Sequence, residues 1–325
     1  MRRILVSGAS GVVGYGILRS LRKSGQKLSL IGTSIYDDSV APAFCDIFER
    51  ALPTNHANYM EWLLGTVRKH QAELVIPGID VDMYEWAAHA SEIRSSGAVP
   101  LLNNLDLIKL CGDKWAFYEN IHNAGMSCAI ESSLSKRFDE LAGRYGLPFL
   151  LKPRHGFGSK GIVRISSAET FAKHQNDMGT VLLAQPIVGN DEEEFTTSAF
   201  CDGDGGFWAC MTLRRKLSSE GFTEKAEVSE SGEFKETMSN LCRHFRPIGP
   251  TNFQFRRCAS GIMLLEINPR VSSSTSIRAA FGYNESAMAV DYFLENRQPS
   301  QPTIRRGRAV RYVEEQVFYE DGVYL

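Results

Sequence analysis

The sequence predicts an α/β protein that begins with a doubly wound domain and continues into mixed α+β lobes. Apolar strands alternate with helical segments near the N-terminus, which is typical of a parallel sheet covered by helices. This alternation covers the apolar segments 3–7, 28–31 and 74–77 and the helical run 15–22. Much later, residues 251–256 and 262–268 form two strand-like segments joined by a short turn, which predicts an antiparallel hairpin.

The first strand is followed by glycines at 8, 11 and 14. Such a turn lets backbones approach closely and directs a helix N-terminus at any bound phosphate. It is compatible with a nucleotide site in general and also with an NAD-dependent sugar-modifying enzyme. The second interpretation requires a Tyr-x-x-x-Lys pair, and no tyrosine in the chain has a lysine four residues later. The strand at 28–31 also leads into Gly-Thr-Ser, without the acidic residue that would bind a ribose.

Composition excludes several classes of protein. The chain has 325 residues, 43% hydrophobic and 23% charged, as expected for a globular protein of two or three domains. A net charge of −2 without a long basic run gives no basis for nucleic-acid binding, and no apolar run reaches membrane-spanning length. The seven scattered cysteines fit reduced thiols, so we expect a cytoplasmic protein. From its charge and hydropathy we expect it to bind neither nucleic acid nor membrane.

Lys152 ends the apolar segment 147–151, and Pro153 stops it. A lysine on an apolar strand needs an anionic partner, because burying an unpaired ammonium is costly. The loop that follows contains Gly156, Gly158, Ser159 and Gly161, and its flexible backbone can offer N–H groups to phosphates. Lysine and loop together predict a nucleotide phosphate site.

The predicted hairpin carries a set of oxygen ligands. Glu266 and Asn268 are two residues apart on a strand and therefore point to the same face. Antiparallel pairing would place Gln254 across from or diagonal to Glu266. Hard oxygen ligands on a rigid strand suit Mg²⁺ held against nucleotide phosphates.

These motifs, in this order, resemble the ATP-grasp superfamily over roughly residues 100–290. The pairing of Asn252-Phe-Gln254 with Glu266-Ile-Asn268-Pro-Arg270 is similar, more narrowly, to the grasp modules of the carbamoyl-phosphate synthetase large subunit. The resemblance implies a Rossmann-like pre-grasp domain at 1–105 and a two-lobed grasp fold. It divides the latter into a linker helix with a lid lobe at 106–185 and a C-terminal lobe with the metal site at 186–325.

The resemblance also implies roles for individual residues. Lys114 and Lys152 would reach the phosphates, the hinge at 185–188 would bind adenine, and Glu194 would bind the ribose, with Glu193 as the alternative. Three adjacent cations further along, of which Arg214 or Lys216 could hold phosphate, could equally belong to a charged edge strand. The expected nucleotide-binding residues are Lys114, Lys152, Gly156, Gly158, Ser159, Gly161, Gln185, Pro186, Ile187, Val188, Glu194 and Lys216. The expected metal ligands are Gln254, Glu266 and Asn268.

Arg270 and Lys152 are the expected catalytic residues. In the family's geometry Arg270 lies beside the γ-phosphate, where it could stabilise charge on the transferring phosphoryl group. Ser273 stands where the synthetase pattern has a second arginine, which favours an acid other than the one that forms carboxyphosphate.

The predicted function is therefore that of a stand-alone ATP-dependent carboxylate–amine ligase. The resemblance implies an acyl-phosphate intermediate, ADP and phosphate as products, and ATP with two Mg²⁺ ions, or Mn²⁺, as cofactors. The partners would be a small-molecule carboxylate and an amine, and a homodimer is compatible with the sequence. The alternatives are the NAD-dependent sugar-modifying enzyme and a non-catalytic ATP-binding protein.

Overall fold

The N-terminal part of the chain folds as predicted. In the computed structural model, which describes residues 1–156 and 160–320, five parallel strands form a sheet of order β3-β2-β1-β4-β5. These are β1 (Arg2–Val6), β2 (Leu28–Ser34), β3 (Ile47–Arg50), β4 (Leu74–Ile76) and β5 (Val99–Pro100). The helices are α1 (Val12–Arg22), α2 (Tyr59–His70), α3 (Asp80–Ala88) and α4 (Ala90–Ser95). Ile4 and Leu5 are adjacent in β1 but belong to different apolar cores, so helices cover both faces of the sheet.

The glycine turn after β1 has the tight geometry that the sequence predicts. Gly8 has a positive φ of 57°, and a Cβ atom on Gly14 would lie only 2.2 Å from the Gly8 carbonyl oxygen. Only glycine fits at these positions. The turn therefore brings α1 directly onto the end of β1.

A second, smaller sheet follows two linker helices. Its strands β6 (Phe149–Pro153), β7 (Val163–Ile165) and β8 (Leu182–Pro186) are antiparallel in the order β7-β6-β8. The linker helices are α5 (Leu105–Cys111) and α6 (Lys114–Asn123), and the lobe adds α7 (Phe138–Tyr145) and α8 (Ala168–Ala172). Phe149, Leu151 and Phe171 form the apolar core of this lobe.

The third sheet is antiparallel, with the order β13-β12-β9-β10-β11-β14. Its strands are β9 (Glu194–Asp202), β10 (Phe207–Leu217), β11 (Thr223–Ser229), β12 (Ile248–Cys258), β13 (Gly261–Asn268) and β14 (Arg308–Val310). The helices are α9 (Gly232–Phe245), α10 (Thr275–Ala280) and α11 (Glu285–Glu295). Residues 308–310 form β14, which pairs antiparallel with β11 at the edge of this sheet.

The two faces of the third sheet differ in chemistry. Phe195, Phe234 and Phe253 belong to an apolar core on one face. On the other face, the buried Arg278 of α10 donates to Asn252 and pairs with Glu285. Asn252 and Gln254 are two residues apart on β12, so this polar layer lies on the same face of the sheet as the predicted metal ligand Gln254. Among the described residues, no helix is long and apolar enough to cross a membrane.

Candidate active site

A cavity of about 220 Å³ is lined by residues of the second and third sheets and of the linker helices. Eleven of the predicted site residues line it, namely Lys114, Lys152, Gly156, Gln185, Pro186, Ile187, Val188, Glu194, Gln254, Glu266 and Asn268. Apolar side chains that the sequence did not single out complete the wall, including Phe117, Ile130, Leu150, Ile162 and Leu264. The fold therefore gathers, at one place, motifs that span 155 positions of the chain from Lys114 to Asn268.

The oxygen cluster, defined as Gln254, Glu266 and Asn268, lies on the hairpin β12–β13. Gln254 is directly opposite Glu266 in the register, as the sequence predicted, and Asn268 Nδ2 donates to Glu266 Oε1 at 2.9 Å. All three side chains line the cavity. The described residues contain no group of three His, Cys, Asp or Glu that could hold a metal. The oxygen cluster offers a different ligand set, namely one carboxylate and two amide oxygens. These are hard ligands, which suit Mg²⁺.

The two predicted phosphate lysines lie in the same cavity. Burial lowers the pKa of Lys152 to about 8, although the negative charge of Glu266 acts in the opposite direction. Burial also lowers the pKa of Lys114, whose Nζ donates to the carbonyl oxygen of Gly156 at 2.7 Å. Asp113 caps the helix that begins at Lys114 by accepting from the Trp115 N–H. An anion placed between the two ammonium groups would relieve the cost of burying them.

The predicted hinge, residues 185–188, begins with the last two residues of β8. Gln185 is buried and donates to Ser132 Oγ at 2.8 Å, and Ile187 and Val188 line the cavity. Tyr118 and Ile121 of α6 also line the cavity. The hinge therefore borders an apolar part of the cavity, which suits a flat heterocycle.

Glu194 is held between two arginines. Its Oε1 accepts from Arg215 Nη2 at 3.0 Å, and its Oε2 accepts from Arg256 Nη2 at 2.6 Å. Arg215 also donates to Gln254 Oε1, which links the acid to the oxygen cluster. Glu193, the alternative ribose ligand, instead pairs with Arg257 at the surface. Glu194 is thus the acid that faces the cavity.

Of the three adjacent cations on β10, the middle one faces the cavity side of the sheet. Arg215 is buried, whereas Arg214 and Lys216 are exposed, because alternate residues of a strand point to opposite faces. The structure therefore does not bring Lys216 to the cavity. The strand is not at the edge either, since β10 lies between β9 and β11. Sequence reasoning missed Arg215 because a run of three cations does not reveal which alternate residues of the strand point toward the cavity.

Three other predicted residues have different outcomes. Gly158 and Ser159 lie outside the described residues. Gly161 has a positive φ of 75°, and a Cβ atom there would lie 2.9 Å from Pro153 Cγ, so it shapes the end of the loop against β6. Lys160, which was not predicted, lines the cavity beside it.

Arg270 follows β13 and is paired with the N-terminal domain. Its Nε and Nη2 donate to the two carboxylate oxygens of Asp80 at 2.7 and 2.8 Å. Burial lowers the pKa of the Arg270 guanidinium, but the charge and hydrogen bonds of Asp80, together with Glu266 and Tyr84, raise it above its usual value. Four residues after Asp80 in α3, Tyr84 reaches the cavity itself. Sequence reasoning identified neither residue, because both lie about 190 positions from Arg270 in the chain.

Known proteins share this architecture. A family model described as "ATP-grasp in the biosynthetic pathway with Ter operon" matches residues 182–316. An N5-carboxyaminoimidazole synthetase structure from Staphylococcus aureus has a TM-score of 0.72 at 14% identity, covering 93% of this chain and 80% of that one. A biotin carboxylase structure from Campylobacter jejuni has a TM-score of 0.74 at 13% identity, covering 94% and 74%. At these identities the likeness establishes the fold.

A curated relative gives the same result at the level of sequence. The biotin carboxylase of Haemophilus influenzae is 23% identical over a region that covers 62% of this chain and 49% of that protein. The chain thus spans about half the length of this relative. Together the comparisons confirm the predicted resemblance to the ATP-grasp superfamily. The narrower resemblance to carbamoyl-phosphate synthetase stays a prediction that depends on Gln254.

Proposed function

We propose, from the ATP-grasp fold of this chain, that it is an ATP-dependent carboxylate–amine ligase that forms ADP and phosphate. One observation carries the proposal: Lys114, Lys152 and the oxygen cluster line the same cavity as the apolar hinge residues. Cations beside hard oxygen ligands suit a metal-bound triphosphate, and the hinge suits an adenine. The similar structures include an N5-carboxyaminoimidazole synthetase with ADP, which supports ATP as the nucleotide.

In the proposed first step, a carboxylate oxygen of the acid attacks the γ-phosphorus of ATP. The bond between that phosphorus and the bridging oxygen breaks, which releases ADP and leaves an acyl phosphate. Lys152 and Lys114 neutralise the phosphate charge, and the walls of the cavity exclude water. Phosphoryl transfer of this kind depends mainly on positioning and charge neutralisation.

In the second step, the lone pair of the amine attacks the acyl carbon. The bond from that carbon to the phosphate oxygen breaks, phosphate leaves and takes the electron pair, and the nitrogen loses a proton to phosphate or water. An amide is formed. Arg270 would stabilise the carboxylate and the acyl phosphate once it is released from Asp80.

The oxygen cluster would hold Mg²⁺, or Mn²⁺ in its place. Gln254 and Asn268 offer amide oxygens, and Glu266 offers the only formal negative charge of the three. When bound, the metal would supply charge neutralisation to the phosphates. The number of ions per nucleotide, proposed here as two, depends on ligands that the ATP phosphates provide.

A screen of carboxylate and amine pairs tests the proposal. The full chain is incubated with ATP, Mg²⁺ and pooled acids and amines, and ADP release and product mass are measured. We expect ADP formation that depends on one acid, with an amide product, and its loss in Glu266→Gln. ATP binding without acid-dependent ADP formation in any pool would instead indicate a non-catalytic ATP-binding protein. A homodimer, the proposed assembly, would be visible by light scattering.

A further inference from the structure

The ion pair between Asp80 and Arg270 joins the N-terminal domain to the segment that follows β13. Asp80 begins α3, at the carboxyl end of the N-terminal sheet, and Arg270 follows β13, which carries Glu266 and Asn268 of the oxygen cluster. The Arg270 guanidinium donates to both carboxylate oxygens of Asp80. Both side chains are largely buried, with 12% of Arg270 and 15% of Asp80 exposed. A planar, two-bond contact of this type is the arrangement by which arginine also recognises a free carboxylate.

Topology places Asp80 at the switch point of the parallel sheet. β1 and β4 are neighbours in the order β3-β2-β1-β4-β5, and the strand order reverses between them. Ligands of open parallel sheets bind in the crevice outside the strand ends at this point. The glycine turn after β1 lies there too, since a Cβ atom on Gly8 would touch Ile79, the residue before Asp80.

Charge limits which acid can use Arg270. A simple monocarboxylate that took the guanidinium would leave Asp80 without its partner in a largely buried position, which is costly. It would also bring two carboxylates close together, and like charges at such a distance repel. A ligand that carries one carboxylate and one ammonium avoids both costs. Its carboxylate replaces Asp80 on Arg270, and its ammonium replaces Arg270 on Asp80.

We propose that the acid substrate is a zwitterion of the amino-acid type, whose carboxylate binds Arg270 and whose ammonium binds Asp80. The inference rests on the proposed function and names the substrate class of that site. Ile79 and Val81, on either side of Asp80, are 37% and 44% exposed, so the crevice favours an apolar side chain on the ligand. Tyr84, one turn further along α3, lines the nucleotide cavity, so the same helix carries both Asp80 and part of the cavity wall.

Direct binding tests the proposal without requiring turnover. The full chain, saturated with MgADP, is titrated calorimetrically with the common apolar L-amino acids. Each is compared with its des-amino acid and its decarboxylated amine, such as leucine with 4-methylpentanoate and isopentylamine. We expect at least one amino acid to bind about tenfold or more tightly than both of its analogues, since it alone satisfies both charges.

Two variants of α3 assign the discrimination to Asp80. In Asp80→Asn the preference for the amino acid over its des-amino analogue should fall about tenfold, because the ammonium loses its anion. The matched control is Glu85→Gln, a half-exposed carboxylate on the same helix that pairs with His89, and it should bind like the wild type. A thermal melt of each variant separates loss of binding from loss of folding, and Asp80→Glu keeps the charge if Asp80→Asn unfolds.

Two results would overturn the inference. One is equal or tighter binding of the des-amino acids, and the other is an unchanged preference in Asp80→Asn. Failure of the proposed function is recognised separately. If ADP formation depended on monocarboxylates alone, the ligase activity would be supported and only the proposal of an amino-acid substrate would be rejected. If none of the amino acids binds while MgADP does, the inference is also wrong.

Discussion

At the scale of single residues, Lys152 shows how burial prepares the cavity for an anion. Burial lowers the pKa of its ammonium group to about 8. Phosphates that bind beside the ammonium would offset the free-energy cost of burying this charge. Bound phosphates would raise this pKa again. The group is therefore a direct reporter of nucleotide binding.

This gives a pH dependence of ATP affinity. Above pH 8, Lys152 of the free protein is mostly neutral, so ATP binding must take up a proton and affinity should fall as pH rises. Below about pH 7 the group is charged in both states and adds no slope. Calorimetry at pH 8.5 in two buffers of different ionisation enthalpy measures the uptake.

The control for that experiment is Lys152→Met, which approximates the lysine stem without its charge. The variant should bind ATP at least about tenfold more weakly, fold normally and show less proton uptake. Proton uptake equal to that of the wild type would mean that another group titrates.

Glu266 gives a second prediction at this scale. Glu266→Gln removes the only formal negative charge of the oxygen cluster while keeping the shape of the side chain. We expect turnover to fall by about a hundredfold or more and nucleotide affinity to change less, because the lysines still bind the phosphates. Steady-state assays with a range of Mg²⁺ concentrations check this, and turnover like that of the wild type would place the metal elsewhere.

At the scale of elements, the hairpin β12–β13 could be predicted from the sequence because its information is local. A short turn, a two-residue spacing and a terminating proline fix which side chains share a face, and the observed register places Gln254 opposite Glu266. Strand β10 could not be predicted in the same way. Alternate residues of this strand point to opposite faces, and the run of three cations does not show which of them point toward the cavity. A register irregularity also follows Lys216.

The polar layer between α10 and the third sheet predicts a large stability effect. Arg278 and Glu285 are 0% and 1% exposed at the side chain, and Arg278 also donates to Ser272, Thr196 and Asn252. Removing the cation alone leaves a buried carboxylate unpaired, so Arg278→Met should lower the free energy of unfolding by about 3–5 kcal/mol. Urea denaturation provides the measurement.

A surface pair on the same sheet serves as the control. Arg214 pairs with Glu227, and both side chains are about half exposed, so Arg214→Met should cost less than about 1 kcal/mol. The double variant Arg278→Met, Glu285→Leu should regain part of the loss, since it leaves no unpaired charge. Equal costs for both arginines would contradict the account of the buried layer.

At the scale of the whole molecule, the site is assembled from segments that are remote in sequence. The motifs of the lid and the C-terminal lobe could be predicted because each has its own local pattern. The pairing of Arg270 with Asp80 could not, since it depends on how the N-terminal domain packs against the strand that ends at Asn268. The boundaries proposed at 105 and 185 stay a prediction, although β8 ends at Pro186.

Arg270 provides the prediction that connects the domains. Arg270→Lys keeps the charge but loses the planar fork that contacts both oxygens of Asp80. We expect it to slow acid-dependent ADP formation by about tenfold or more while changing ATP affinity less than threefold, because ATP is held mainly by the lysines. Measuring kcat and the ATP dissociation constant of the variant and the wild type checks this prediction. If kcat and ATP affinity fell by the same factor, Arg270 would instead be holding the nucleotide.

The central claim is that a carboxylate is activated by the γ-phosphate of ATP in this cavity. The most direct measurement uses the acid found in the screen, labelled with oxygen-18 in its carboxylate, with hydroxylamine as the nucleophile. The account predicts ADP, a hydroxamate of the acid and one labelled oxygen in the released phosphate. Label that stays wholly in the hydroxamate, or AMP in place of ADP, would contradict it.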